Sequence, residues 1–130
     1  MRSLRLMTVM AVGACSVAAS ISIATPASAA LDSLTLSLSS PLIGTRTVTL
    51  RCEATGGTHP NADAACNDLI AASGDISRIP PDQTGGCGGY YDPTTASALG
   101  YWRGLLVTYT HEFSNPCVAA LTTGGHVFRF

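Results

Sequence analysis

The sequence predicts an α+β fold, with strands and helices in separate stretches of the chain. Residues 31–38 and 45–52 alternate apolar and polar side chains, and residues 101–113 do so more strongly. Between these stretches, Asn61 to Gly74 carries small and apolar residues at helical spacing. Four cysteines, Cys52, Cys66, Cys87 and Cys117, are distributed through the same region.

The first residues read as an address. Arg2 and Arg5 form a short basic start, Leu6 to Ile23 is an apolar run, and Ala27-Ser28-Ala29 supplies the small-x-small cleavage pattern. We expect residues 1–29 to be a secretory signal peptide cut before Ala30, leaving one domain at residues 30–130. No stop-transfer charges follow the run, so no membrane association is expected after cleavage. Val12-Gly13-Ala14-Cys15 resembles a lipoprotein cleavage site only faintly, because the apolar run continues past Cys15.

Residues 30–130 hold five arginines, no lysine and eight acids, a net charge of −3 with no basic run. Binding to a phosphate backbone requires clustered positive charge, so nucleic acid is not an expected partner. An even cysteine count in a secreted domain of this size implies two disulfides. Three connectivities are open, and pairing neighbours (Cys52 with Cys66, Cys87 with Cys117) is the simplest. There is no C-x-x-C pair, and an oxidising compartment favours disulfides over zinc, so no metal is expected.

Taken in order, Leu34, Leu36 and Leu38 define the inward face of a first strand, which Ser39-Ser40-Pro41 ends. Val48 and Leu50 point inward from a second, and the two suggest an antiparallel pair wet on one face. Thr55 to Pro60 reads as a connecting loop, with His59 a turn residue making a local hydrogen bond. Asn61 is the expected helix cap and Gly74 its left-handed terminator. Ala62, Cys66, Leu69 and Ser73 lie at helical spacing, where Cys66 could staple the helix to the strand ending at Cys52. Asp75 to Thr84 reads as a linker with Ile76 and Ile79 as core plugs, and Pro80-Pro81 enforces an extended exit.

The glycine-rich stretch Gly85-Gly86-Cys87-Gly88-Gly89-Tyr90-Tyr91-Asp92-Pro93 follows. Without side chains its backbone is open to close approach by another surface. Cys87 anchors it covalently, and the pattern suggests a loop presented to a partner. Thr94 to Gly100 reads as a turn or short irregular strand, and Tyr101 to Phe113 as one strand with Leu105, Val107, Tyr109, His111 and Phe113 on one face. Ser114 to Cys117 reads as a turn, Val118 to Thr123 as one or two helical turns, and His126 to Phe130 as a terminal strand. Every Trp, Tyr and Phe lies between Tyr90 and Phe130, so the C-terminal half is expected to supply most of the large core side chains.

Thr58-His59-Pro60, the Cys66 helix, Cys87 followed by Tyr91-Asp92-Pro93, Tyr101-Trp102-Arg103-Gly104, Phe113-Ser114-Asn115-x-Cys117 and Val127-Phe128-x-Phe130 together resemble the Streptomyces subtilisin inhibitor family. The likeness spans about Leu34 to the end. It implies a five-stranded antiparallel sheet with two short helices on one face, neighbour-paired disulfides and a homodimer. It also implies secreted inhibition of subtilisin-like serine proteases by a substrate-like loop, with no cofactor. Transferred here, the scissile bond is Gly89–Tyr90: P3 is Cys87, P2 Gly88, P1 Gly89, P1′ Tyr90, P2′ Tyr91 and P3′ Asp92. A pre-organised loop lowers the ordering cost of binding, and a Cys87–Cys117 bridge would hold the fragments if the bond were cut.

The sequence departs from the family at P2 and P1, where proline and a large apolar or basic residue are usual. A filled S1 pocket contributes about 1.5–3 kcal/mol, roughly ten- to 150-fold in affinity, and the two glycines add about 1–2 kcal/mol of ordering cost. Either the target has a small or occluded S1 pocket, or the chain is a non-inhibitory descendant. Such a descendant would be a secreted binding protein or a sacrificial protease or transglutaminase substrate. One glutamine, Gln83, and no lysine leave little for cross-linking. A small hydrolase is the third class: His59, His111 and His126 are present, but no G-x-S-x-G elbow or H-E-x-x-H helix is.

Overall fold

The computed structural model describes residues 32–130, together with Gly13 and residues 18–22. The expected leader and its cleavage site lie largely outside the described residues. Among the described residues, no helix is long and apolar enough to cross a membrane.

Five strands form one antiparallel sheet in the order β3-β2-β1-β4-β5. They are β1 (Ser33–Ser40), β2 (Gly44–Cys52), β3 (Thr55–Gly57), β4 (Thr94–Trp102) and β5 (Leu105–Phe113). Helices α1 (Ala62–Ala71) and α2 (Pro116–Thr122) are joined to them by irregular segments and one 3-10 turn, Ile76–Arg78.

The alternation read from β1 holds: Leu34, Leu36 and Leu38 are buried, with Thr35 exposed and Ser37 half-buried between them and Ser39 exposed beyond. Leu50 of β2, Ala96 and Ala98 of β4 and Phe113 of β5 join the leucines on the inner face. Ala65, Cys66 and Leu69 of α1 and Ala119 of α2 cover that core, and Ile76 and Ile79 plug it as expected. The large side chains come from both halves of the chain, not mainly the second: the leucines of β1 and β2 share the core with Trp102, Phe113 and Phe128, while Tyr90 and Tyr91 are exposed. Each fully buried leucine contributes about 1.5–3 kcal/mol.

Several local expectations are corrected. Residues 94–100, read as a turn or short irregular strand, are most of β4, a regular central strand paired along both edges. Its small buried residues, Thr94, Ala96 and Ala98, had hidden the strand period. Residues 101–113 are not one strand. Arg103 (φ 47°) and Gly104 (φ 80°) make a two-residue hairpin between β4 and β5, both at the positive φ a type I′ turn requires. Thr55–Gly57, read as loop, adds a short edge strand against β2.

Asn61 stands at the α1 N-cap without a side-chain hydrogen bond. Its own N–H is instead taken by His59 Nδ1 at 3.0 Å. The C-terminus of α1 closes as a Schellman motif: Ser73 N–H donates to Ile70 O (3.1 Å) and Gly74 N–H to Leu69 O (2.8 Å). Ser73 thus occupies the first left-handed position (φ 54°) and Gly74 the next (φ 80°). Trp102 packs so closely over Gly74 that a Cβ there would lie 2.4 Å from its ring.

The chain end is not a strand. Val127 and Phe128 are both buried, which period-two alternation forbids, and Arg129 N–H turns back to His126 O. Phe128 stacks on Tyr109 with ring centroids 5.9 Å apart. His59 is buried and keeps its local bond, while its Nε2 lies 3.0 Å from Val127 O. Only the neutral Nε2–H tautomer serves both partners, with Nδ1 accepting and Nε2 donating.

Candidate functional site

Sequence and structure converge on the loop between the linker and β4. Two disulfides form, Cys52–Cys66 and Cys87–Cys117, enclosing sequence separations of 14 and 30 residues. The first ties the end of β2 to α1; the second ties the glycine loop to the first turn of α2. Loop closure of these lengths stabilises the fold by roughly 3–4 kcal/mol per bridge.

A single short segment, Ser114 to Cys117, holds the loop at three points. Cys117 carries the bridge to Cys87. Asn115 Nδ2 donates to Gly88 O (3.3 Å) and to Tyr90 O (3.0 Å), spanning Gly89. Ser114 O accepts from Asp92 N–H at 2.8 Å. Asn115 is itself fixed, because its Oδ1 caps α2 by accepting from Val118 N–H (2.9 Å) and the side chain is fully buried. Asparagine at the N-cap followed by proline in the first turn is a standard helix start, so α2 begins at Pro116, two residues earlier than expected.

Downstream, Asp92 anchors the exit. It is buried, its Oδ2 accepts from Ser40 Oγ (2.7 Å) and its Oδ1 from Leu42 N–H (3.2 Å). The carboxylate therefore ties the loop to the turn between β1 and β2. Upstream, Asp82 N–H donates to Leu121 O of α2, and the Asp82 carboxylate accepts from Thr84 N–H and Thr84 Oγ1. Those bonds from Thr84 hold the Asp82 carboxyl below its usual range.

Between these anchors Gly88, Gly89, Tyr90 and Tyr91 stand at the surface. Tyr90 is 49% and Tyr91 77% exposed. The structure thus brings together every residue expected in the loop, with one change of role: Asp92 is an internal anchor, not a presented side chain. Asn115 was read only as part of a turn. The Asn-Pro pair ahead of a helical stretch was the signal for its cap, but nothing local marked its reach to residue 88.

The histidines are otherwise engaged. His126 pairs with Asp68 at 2.9 Å, His59 is consumed by its two bonds, and His111 packs on Phe113 with ring centroids 4.5 Å apart. None hydrogen-bonds a serine hydroxyl or cysteine thiol among the described residues. No cluster of three or more potential metal ligands occurs among them either.

The chain is thus a small α+β domain that carries a disulfide-pinned, internally braced, solvent-exposed loop. The model of the subtilisin inhibitor-like family matches residues 28–115, and the chain belongs to that family. It is 44% identical over 86 residues to subtilisin inhibitor-like protein 5 of Streptomyces fradiae, covering 65% of this chain and 79% of that one. It is 45% identical over 74 residues to subtilisin inhibitor-like protein 3 of Streptomyces coelicolor, covering 56% and 69%. Among solved structures it is similar to Streptomyces caespitosus sermetstatin in complex with Bacillus licheniformis subtilisin. That match has a TM-score of 0.61 and 32% identity, over 76% of this chain and 98% of that one.

Proposed function

We propose that this chain is a secreted, extracellular inhibitor of subtilisin-like serine proteases. It lays residues Cys87 to Asp92 in the protease cleft with Gly89–Tyr90 as the reactive bond. The observation that carries the reading is the Asn115 amide, which holds the carbonyls on either side of Gly89 within an exposed loop. Carbonyls of an extended segment alternate in direction. With the 88 and 90 carbonyls held by Asn115, an extended loop would present the Gly89 carbonyl on the opposite side, to an attacking serine. The neighbour's complex with subtilisin is consistent with that partner.

The same contacts supply the resistance to turnover. After attack, the serine Oγ would hold the Gly89 acyl group and the Tyr90 amine would be the leaving group. The Cys87–Cys117 bridge, the Asn115 bonds and the Asp92 anchor keep that amine beside the acyl carbon, so re-formation of the peptide competes with hydrolysis. A homodimer is part of the proposal: Leu99, Tyr101 and Leu106 leave an apolar patch on the outer face of the sheet, where Tyr101 and Leu106 are direct partners.

Titration of the purified protein against subtilisin and an elastase-like protease, with mass spectrometry of the mixture, tests the reading. Stoichiometric inhibition with slow, partial cleavage at Gly89–Tyr90 is expected. Rapid complete cleavage without inhibition would overturn it in favour of a sacrificial substrate.

A further inference from the structure

Of the loop glycines, Gly86, Gly88 and Gly89 are not required by the backbone, whereas a Cβ on Gly85 would press on Leu121 at 3.0 Å. Gly57, Gly74 and Gly100 have positive φ, and a Cβ on any of them would strike a neighbour. Gly86, Gly88 and Gly89 lie outside the left-handed region. A Cβ on Gly86 or Gly89 would meet nothing within 4 Å, and one on Gly88 only the Tyr90 ring at 3.6 Å, an ordinary contact. A β-carbon is therefore accommodated at each of these positions. The fold gives no reason for bare positions before the reactive bond, so the reason is sought in what approaches them.

Beyond the bond the chemistry reverses. Tyr90 and Tyr91 present two exposed aromatic rings, and the buried Asp92 immediately behind them fixes their backbone. Tyrosine combines a large apolar face, a polar tip and only two side-chain torsions, so it supplies contact area at low ordering cost. Such anchors, seated in pockets, dominate protein interfaces.

We propose that Tyr90 and Tyr91 are the specificity-determining residues of this inhibitor. The fitting partner is a serine endopeptidase whose cleft is shallow or closed at S1 and S2 and whose primed side accepts two aromatic rings. The inference rests on the inhibitor reading above. Glycine at P1 and P2 lets the cleft wall approach the bare backbone, which any larger side chain would prevent. Binding on the primed side also favours the intact inhibitor. Contacts made by Tyr90 and Tyr91 retain the leaving amine itself, which re-attacks the acyl carbon, returns the proton it took up on leaving, and frees the serine Oγ.

The test measures inhibition constants of the full protein against subtilisin, chymotrypsin and an elastase-like enzyme. The variants are Tyr90→Ala, Tyr91→Ala, Tyr91→Phe and Gly89→Met, with thermal melts to confirm that each is folded. Against the enzyme inhibited most tightly by the wild type, each alanine variant is expected to weaken inhibition by about 10- to 150-fold. Tyr91→Phe should stay within about threefold, and Gly89→Met should weaken inhibition there through collision with the closed S1 wall. If both alanine variants stay within about twofold while Gly89→Met tightens binding tenfold or more, P1 is the determinant; this inference then fails and the inhibitor reading survives. If neither the wild type nor any variant inhibits any of the enzymes, both fall together.

Discussion

Asn115→Ser separates the two roles of one side chain. Asn115 caps α2 through Oδ1 and braces the loop through Nδ2, at 3.3 Å to Gly88 O and 3.0 Å to Tyr90 O. Serine is as good an N-cap as asparagine, but it is too short to reach either carbonyl. The helix start should therefore survive, with about 1 kcal/mol of stability lost to the small cavity left at a buried position. Each loop bond is worth about 0.5–1.5 kcal/mol. If that energy serves to pre-organise the loop, its loss raises the inhibition constant about 5- to 150-fold. Cleavage at Gly89–Tyr90 should accelerate in parallel. Asn115→Ala removes cap and brace together and should cost a further ~1 kcal/mol of stability, with an inhibition constant like that of the serine variant. Urea denaturation, inhibition of subtilisin and timed mass spectrometry of the complex give the three readouts. A serine variant that inhibits and resists cleavage like the wild type would refute the bracing argument.

Other contacts carry their own expectations. Replacing Cys87 and Cys117 together by serine should lower stability by roughly 3–4 kcal/mol, from the 30-residue separation it closes. The same change should let the two fragments of cleaved protein separate without reductant, which a non-reducing gel reads directly. Asp92→Ala strands the buried Ser40 hydroxyl and should cost about 1–3 kcal/mol in urea denaturation, with faster proteolysis of the loop. Burial raises the Tyr109 phenol above its usual value of 10.0. The unfolded chain therefore ionises first, and stability should fall as pH rises above about 10 toward the folded value. Tyr109→Phe should flatten that decline in alkaline melting curves.

The strands with large alternating side chains were legible in the sequence because burial on one face imposes a period of two: Leu34, Leu36 and Leu38 could hardly be read otherwise. β4 escaped the same reading for a packing reason. Its inner face holds Ala96 and Ala98 in a core supplied with bulk by its neighbours, so hydrophobicity there is carried by side chains too small to mark a period. The hairpin at Arg103-Gly104 was hidden because arginine rarely takes the left-handed conformation, which the turn imposes on it here. His126 to Phe130 looked like a strand from alternation alone, yet Val127 and Phe128 are both buried. At the site, the loop and its cysteines were visible as local composition. The brace from Asn115, 25 residues from Tyr90 along the chain, and the tie from Asp92 to Ser40, 52 residues away, exist only once the sheet has formed.

The ordinary backbone conformation of the loop glycines also bears on how such a molecule can change. Folding information resides in the cysteines, Asn115, Asp92 and the leucine sheet; under the proposed inhibitor reading, recognition falls to residues 88–91, which are exposed and where no glycine is demanded by the backbone. Cys87 and Asp92 anchor the fold and bound that exposed stretch on either side. A lineage, or a designer, can therefore redirect this domain to a new protease by substitutions within four adjacent positions. Filling Gly88 or Gly89 would even remove disorder from the unfolded chain, so retargeting and stabilisation run in the same direction.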